Sequence, residues 1–178
     1  MAWSTPPTWT AGQTIPASNL NIIRDDLLET APAKATAANR HFSTLGGNSI
    51  VEREIKQDFI STGGTVTSTS FANPATGGTG PTVTITTGTL AIVNVQAQMS
   101  NTTDGPSTRM SYGITGATTS PAVSERGTML QSGASKDARF GTWELQVLTA
   151  GSNVFQAKYL VSSTPGAIND RTLIVWAL

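Results

Sequence analysis

From Ile50 onward, apolar and polar residues alternate with a period near two and turn-forming residues recur at short intervals, the pattern of half-buried strands. It predicts strands near 49–55, 65–71, 82–87, 90–100, 109–115, 127–131, 140–148, 153–162 and 173–178. The clearest stretch is 153–161, where Phe155, Ala157, Tyr159 and Val161 share one face and Gln156 and Lys158 the other. Turns separate several strands: Thr76-Gly77-Gly78-Thr79-Gly80-Pro81, Asp104-Gly105-Pro106 and Thr149-Ala150-Gly151-Ser152, the last reading as a hairpin between two alternating strands. Eight or nine short strands at this spacing predict a mainly β fold, an antiparallel β-sandwich or jelly roll. The apolar run 172–178 carries the final strand, so the C-terminus is expected to be packed rather than trailing.

The first 48 residues follow a different rule. Trp3 and Trp9 stand among Pro6, Pro7 and Pro16, a composition that disfavours helix and gives an extended strap unable to bury its own indoles. Ser18 can then cap a short helix over about 19–30, where Leu20, Ile23 and Leu27 recur at i, i+3 and i+7, Ile22 and Leu28 widen the stripe, and Pro32 sets the limit. A helix this short is marginal alone, so its apolar face is expected to meet another chain or the β domain. The Ala-rich stretch 33–41 reads as helical, and Gly46-Gly47-Asn48 marks a break. The expected organisation is a docking strap with a short helix in 1–48 and a β domain in 49–178. Trp is over-represented among interface anchors and the strap has no local core to join, so Trp3, Pro6, Trp9, Leu20, Ile23 and Leu27 are the candidate partner-binding residues.

Composition sharpens this picture. Charged residues make up 12% of the chain against 29 Thr and 17 Ser, so polarity is carried by hydroxyls, which suit a pleated surface, and 17 Gly with 9 Pro supply turns. Net charge is zero and Lys and Arg are scattered, leaving no basic stripe for a phosphate backbone, so nucleic acid is not an expected partner. Cysteine is absent, which removes disulfides, thiolate nucleophiles and Cys-ligated zinc together. The opening Met1-Ala2-Trp3-Ser4-Thr5-Pro6-Pro7 has neither a basic nor an apolar signal region, and Leu90-Ala91-Ile92-Val93 is too short for a bilayer; folding in a cytoplasm, with no membrane partner, is expected. No charged residue occurs between Asp58 and Asp104, although charge is the usual protection of exposed strand edges. Oligomerisation would cover those edges.

Candidate chemistry is sparse. His41 is the sole histidine and has no carboxylate at catalytic or metal-binding spacing, so it reads as a polar linker residue. No G-x-S-x-G elbow accompanies the many hydroxyls. Glu52 and Glu54 share a strand face, but residues two apart on one strand do not straddle a sugar ring, and Arg53 and Lys56 make a solvated face the expected reading. Asp25 and Asp26 point different ways on a helix and lack a third cation ligand. The Gly77-Gly78-Thr79-Gly80 run lacks the Gly-Lys-Ser/Thr ending of a phosphate loop and reads as a turn. Asn101-Thr102-Thr103 matches a glycosylation acceptor by composition alone. The expectation is a chain that is not an enzyme and uses no cofactor or metal.

Taken together, Trp3-x-x-Pro6-x-x-Trp9-x-x-Gly12, the Leu20-Asn21 to Arg24-Asp25 helix and Leu27 resemble the opening of many small virion proteins of tailed bacteriophages, where such a strap and helix precede a fibre-like or decoration-like β domain. At the other end, 148–155 leading to Tyr159, then Asn169-Asp170-Arg171-Thr172-Leu173-Ile174-Val175, resemble the last two strands of the trimeric jelly rolls of phage fibre heads and related knobs. That pattern usually runs Asn-Arg directly, whereas Asp170 intervenes here. The resemblance implies a homotrimer located in the virion and docked on a major capsid protein or tail proteins. A head decoration or head-fibre role ranks first, because the loops 104–107 and 118–124 contain no aromatic residue that would suit receptor binding. The alternatives are a tail-fibre or tail-tip subunit in host recognition, or a carbohydrate-binding module with a host-surface glycan as partner.

Overall fold

A computed structural model describes residues 11–14, 16–18, 20–21, 38–46, 49–131 and 137–178. It divides into two units, Met1–Glu54 and Ile55–Leu178. In the first, β1 (Arg40–Gly46) pairs antiparallel with the opening half of β2 (Ser49–Ile60), with an irregularity between Thr44 and Gly46. Arg40 lies 4.0 Å from both Glu52 and Glu54, so those carboxylates flank a guanidinium and are half-buried rather than forming the open solvated face expected of them. His41 belongs to β1, opposite Arg53, and so stands in a strand rather than in a linker or helix. Cross-strand pairing holds residues 40 and 41 of the stretch expected as helical in a strand, and 33–37 lie outside the described residues.

The second unit is a mainly β, antiparallel sandwich. One sheet orders β2, β10 (Gly166–Ala177), β5 (Leu90–Asn101) and β8 (Asp137–Val147), with the short β3 (Gly64–Val66) also on β10. The other orders β4 (Thr82–Thr87), β9 (Gly151–Val161), β6 (Ser107–Gly116) and β7 (Thr128–Gln131). The two orders, β2-β10-β5-β8 facing β4-β9-β6-β7, are those of a jelly-roll-like sandwich, with β3 an addition to the first sheet. β10 is central, paired on both flanks, and the Leu178 N–H donates to the Leu90 carbonyl at 3.0 Å, so the final strand is packed. The predicted face of β9 is correct: Phe155, Ala157, Tyr159 and Val161 are all fully buried. They meet Val93, Val95, Ala97 and Met99 of β5 and Leu173 and Val175 of β10 in one apolar layer.

Two expectations are corrected. The strand expected over 65–71 ends at Val66, because the Ser68 hydroxyl donates to the Ser70 carbonyl (2.6 Å) and accepts from the Ser70 N–H (3.1 Å), a local turn that competes with the ladder. The segment around Thr149–Ser152 is no hairpin: β8 pairs with β5 and β9 with β4 and β6, so the chain crosses between sheets there. Buried Asn153 pins the crossing, its Nδ2 donating to Thr87 Oγ1 (2.8 Å) and the Thr149 carbonyl (3.1 Å) while its Oδ1 accepts from the Thr118 N–H (2.7 Å). Asn101 is likewise committed inside, donating to the Pro106 carbonyl and accepting from the Thr108 hydroxyl, which removes it as a glycosylation acceptor. Gly77 and Gly78 have φ +83° and +78°, and a Cβ on Gly77 would collide with the Gly63 carbonyl, so this glycine run is a tight turn ahead of β4.

Both tyrosines of the chain are fully buried, and burial pushes each hydroxyl well above its ordinary value of 10.0. Arg126 opposes the shift at Tyr112 and Arg171 opposes it at Tyr159. A group whose folded-state pKa is raised binds its proton more tightly when folded, so the associated stability is complete below pH 10 and is lost as pH rises beyond it. An alkaline titration followed at 295 nm is therefore expected to show no phenolate until the protein unfolds, both groups then ionising together; separate ionisation of a native tyrosine near pH 10 is the contrary result.

Candidate assembly surface

The outward side of the β2–β10–β5–β8 sheet is built from strand registers. Directly opposed residues share a face, and the pairings place Ile55, Trp176, Ile92 and Leu145 in one unbroken apolar row across four strands. The next row is Gln57, Ile174, Asn94 and Trp143, and the one after it Phe59, Thr172, Gln96 and Gly141. Leu90 faces Val147 beyond the first row. None of these residues is charged. Val147 is 79% exposed, Trp143 60% and Leu145 56%, and Phe59 and Trp176 are exposed as well.

In β8 the expected polarity of the two faces is reversed. Its outward residues include Trp143, Leu145 and Val147, whereas Thr142, Glu144 and Gln146 are half-buried on the inward side. Glu144 and Gln146 join a hydrogen-bond network that starts at a buried arginine. Arg126 Nη1 donates to Gln146 Oε1 (3.1 Å), Gln146 Nε2 donates to Glu144 Oε1 (3.1 Å), and Arg126 Nη2 donates to Ser120 Oγ (3.0 Å) and the Pro121 carbonyl. The guanidinium also lies 5.2 Å from the Tyr112 ring centroid, within cation–π range. Burial raises the Glu144 carboxyl above its usual value, with Arg126 opposing. A strand that turns its indole and aliphatic side chains to solvent and its carboxylate inward has an outer face suited to contact with protein.

A second surface lies over β9 on the other sheet. Val154, Gln156, Lys158 and Leu160 form the floor of a groove of about 900 Å³, with Ser70 and Phe71 along it and the 119–125 segment also lining it. Lys158 Nζ donates to Asn73 Oδ1 at 2.8 Å, and burial lowers the pKa of its amine. Among the described residues, no group of three or more His, Cys, Asp or Glu side chains is placed to hold a metal ion, and no helix is long and apolar enough to cross a membrane.

Of the residues singled out in the N-terminal segment, Trp3, Pro6, Trp9, Ile23 and Leu27 lie outside the described residues, as do Asp25 and Asp26. Leu20 is exposed, and its N–H donates to the Pro16 carbonyl at 3.4 Å. Sequence reading missed Phe59, Trp143, Leu145, Val147 and Trp176 as surface residues. The available signal was the alternation of Trp143, Leu145 and Val147 with Thr142, Glu144 and Gln146, which marks two faces without saying which is inside.

The sequence matches no family model and no curated protein. Among solved structures, the fold is similar to Eiger, a TNF protein of S. frugiperda, at TM-score 0.47 and 10% identity, covering 70% of this chain and 92% of that one. It is also similar to VP2 of an infectious bursal disease virus subviral particle, at TM-score 0.46 and 10% identity, over 76% of this chain and 37% of VP2. A third similarity is to the C-terminal CBM6 of LamC from Zobellia galactanivorans, at TM-score 0.30 and 10% identity, over 67% of this chain and 98% of that one. None of these assigns a family.

Proposed function

We propose that the protein is a non-enzymatic structural component of a tailed-phage particle, a homotrimer joined through the outer face of the β2–β10–β5–β8 sheet and attached to the virion by its N-terminal segment. A capsid decoration or head-fibre role is favoured. The observation that carries the assembly is the part of the outer face made by the three uncharged rows and Val147, with Trp143, Leu145, Val147, Phe59 and Trp176 exposed. Their exposed area is on the order of 550 Å², the larger part of the ~800 Å² each partner contributes to a standard interface. The virion assignment draws on the strap, the helix and the C-terminal strand pattern.

Attachment is tested on purified virions. Trp3→Ala combined with Trp9→Ala is expected to leave the β domain folded with nearly unchanged thermal stability while particle occupancy falls at least tenfold, since each anchoring indole contributes roughly 2 kcal/mol or more. Full occupancy by the double variant, or absence of the protein from virions, counts against the proposal. Polar replacements at Leu20, Ile23 and Leu27 extend the same assay to the helix.

A further inference from the structure

We propose that the groove over β9 binds an acidic saccharide, with Lys158 receiving a sugar carboxylate, Phe71 offering a ring face to a pyranose, and Gln156 and the surrounding hydroxyls meeting sugar hydroxyls. The groove's ~900 Å³ lies within the range that holds small ligands. Among the described residues, the side chains of Ser70, Thr115, Thr119 and Gln156, all lining it, make no hydrogen bond within the protein. Hydroxyls and an amide both donate and accept, as sugar hydroxyls require.

Two features separate a saccharide from an extended peptide. β9 is hydrogen-bonded to β4 on one side and β6 on the other, so the floor presents side chains and no free backbone ladder for strand addition. Half-buried Phe71 supplies an apolar surface beside polar groups, the pairing that suits a pyranose ring. Charge then narrows the class. Lys158 has a neutral amide oxygen as its partner and no carboxylate, so an arriving carboxylate would stabilise the ammonium that burial disfavours. Glu125 lines the same groove and disfavours densely charged polyanions, which leaves saccharides whose carboxylates are spaced by neutral sugars. The proposal is independent of the particle role, since the groove belongs to one chain.

The test is calorimetric titration of the full chain with hyaluronan and alginate tetrasaccharides, with maltotetraose as neutral control and an octaglutamate peptide as the competing class. Hyaluronan, whose uronates alternate with neutral sugars, is expected to bind more tightly than alginate, and maltotetraose at least tenfold more weakly. Lys158→Gln should weaken hyaluronan binding at least tenfold without changing thermal stability, and Phe71→Ala should weaken it comparably. Failure of both uronates to bind overturns the proposal. So does equal binding of maltotetraose, preference for the peptide, or unchanged affinity in Lys158→Gln. Retained binding in a variant that has lost its oligomeric state supports the groove and separates it from the assembly.

Discussion

Replacing both Trp143 and Leu145 with Glu is expected to convert the assembled protein into a folded monomer of 18.5 kDa. Both side chains are more than half exposed in the single chain, so neither substitution removes core packing. In an assembly the same positions become buried, and a charge placed there must be desolvated without a partner, because the surrounding rows of Ile55, Trp176, Ile92, Gln57, Ile174 and Phe59 contain no charged residue. Loss of a central aromatic anchor alone costs roughly 2 kcal/mol or more, and a buried unpaired charge adds to it, so association should weaken by at least about a hundredfold in equilibrium constant. Sedimentation at micromolar concentration should show three chains for the parent and one for the variant, with the same far-ultraviolet dichroism. Thr86→Lys, a charge on the exposed side of β4, is the control and should remain trimeric. A monomeric parent, or a variant that assembles as the parent does, would sink the proposed interface.

The second large effect is expected at Arg171. Its side chain is fully buried, and Nη2 donates to the carbonyls of Thr62 and Gly77, each at 2.8 Å, tying two loops to the middle of β10. The guanidinium stands 5.9 Å from the Tyr159 ring centroid. Arg171→Leu keeps an apolar volume while leaving both carbonyls without their donor and removing the cation–π contact. Two carbonyls left without a donor should cost about 2–4 kcal/mol, lowering Tm by roughly 8 °C. Arg171→Lys retains the charge but not the planar fork, and should fall between the two. A loss below about 1 kcal/mol in Arg171→Leu would show that the loops are held by other contacts.

Asp170 explains how Arg171 comes to face inward. The ladder between β10 and β5 shifts register between Asn169 and Thr172, and Asp170 occupies the left-handed region at φ +45°. It is therefore one extra residue accommodated as a bulge, before which Gly166 and Ile168 face inward and after which Arg171, Leu173 and Val175 do. The departure from the Asn-Arg pattern was visible in the sequence; that it leaves the inward alternation intact on both sides was not.

Strand existence and the buried face of β9 were legible because side-chain alternation is a property of each residue's own geometry, repeated every two positions. The turn at Gly77–Gly80 was legible for the same reason, since positive φ is a local demand met by glycine. The short range of such rules also marks their limit. Whether Thr149–Ser152 closes a hairpin or crosses between sheets depends on the partners of β8 and β9, which lie some fifty residues away for the β8–β5 pairing of Trp143 with Asn94. Which side of β8 faces the core depends on that same register, together with the buried Arg126 network that receives Glu144 and Gln146. The sequence by itself determined that 49–178 would form alternating strands, with no charged residue from 59 to 103 to protect their edges. Only the tertiary structure decided that Trp143, Leu145, Val147, Phe59 and Trp176 would gather on one outer face, because residues remote in the chain become neighbours solely through strand pairing across the sheet.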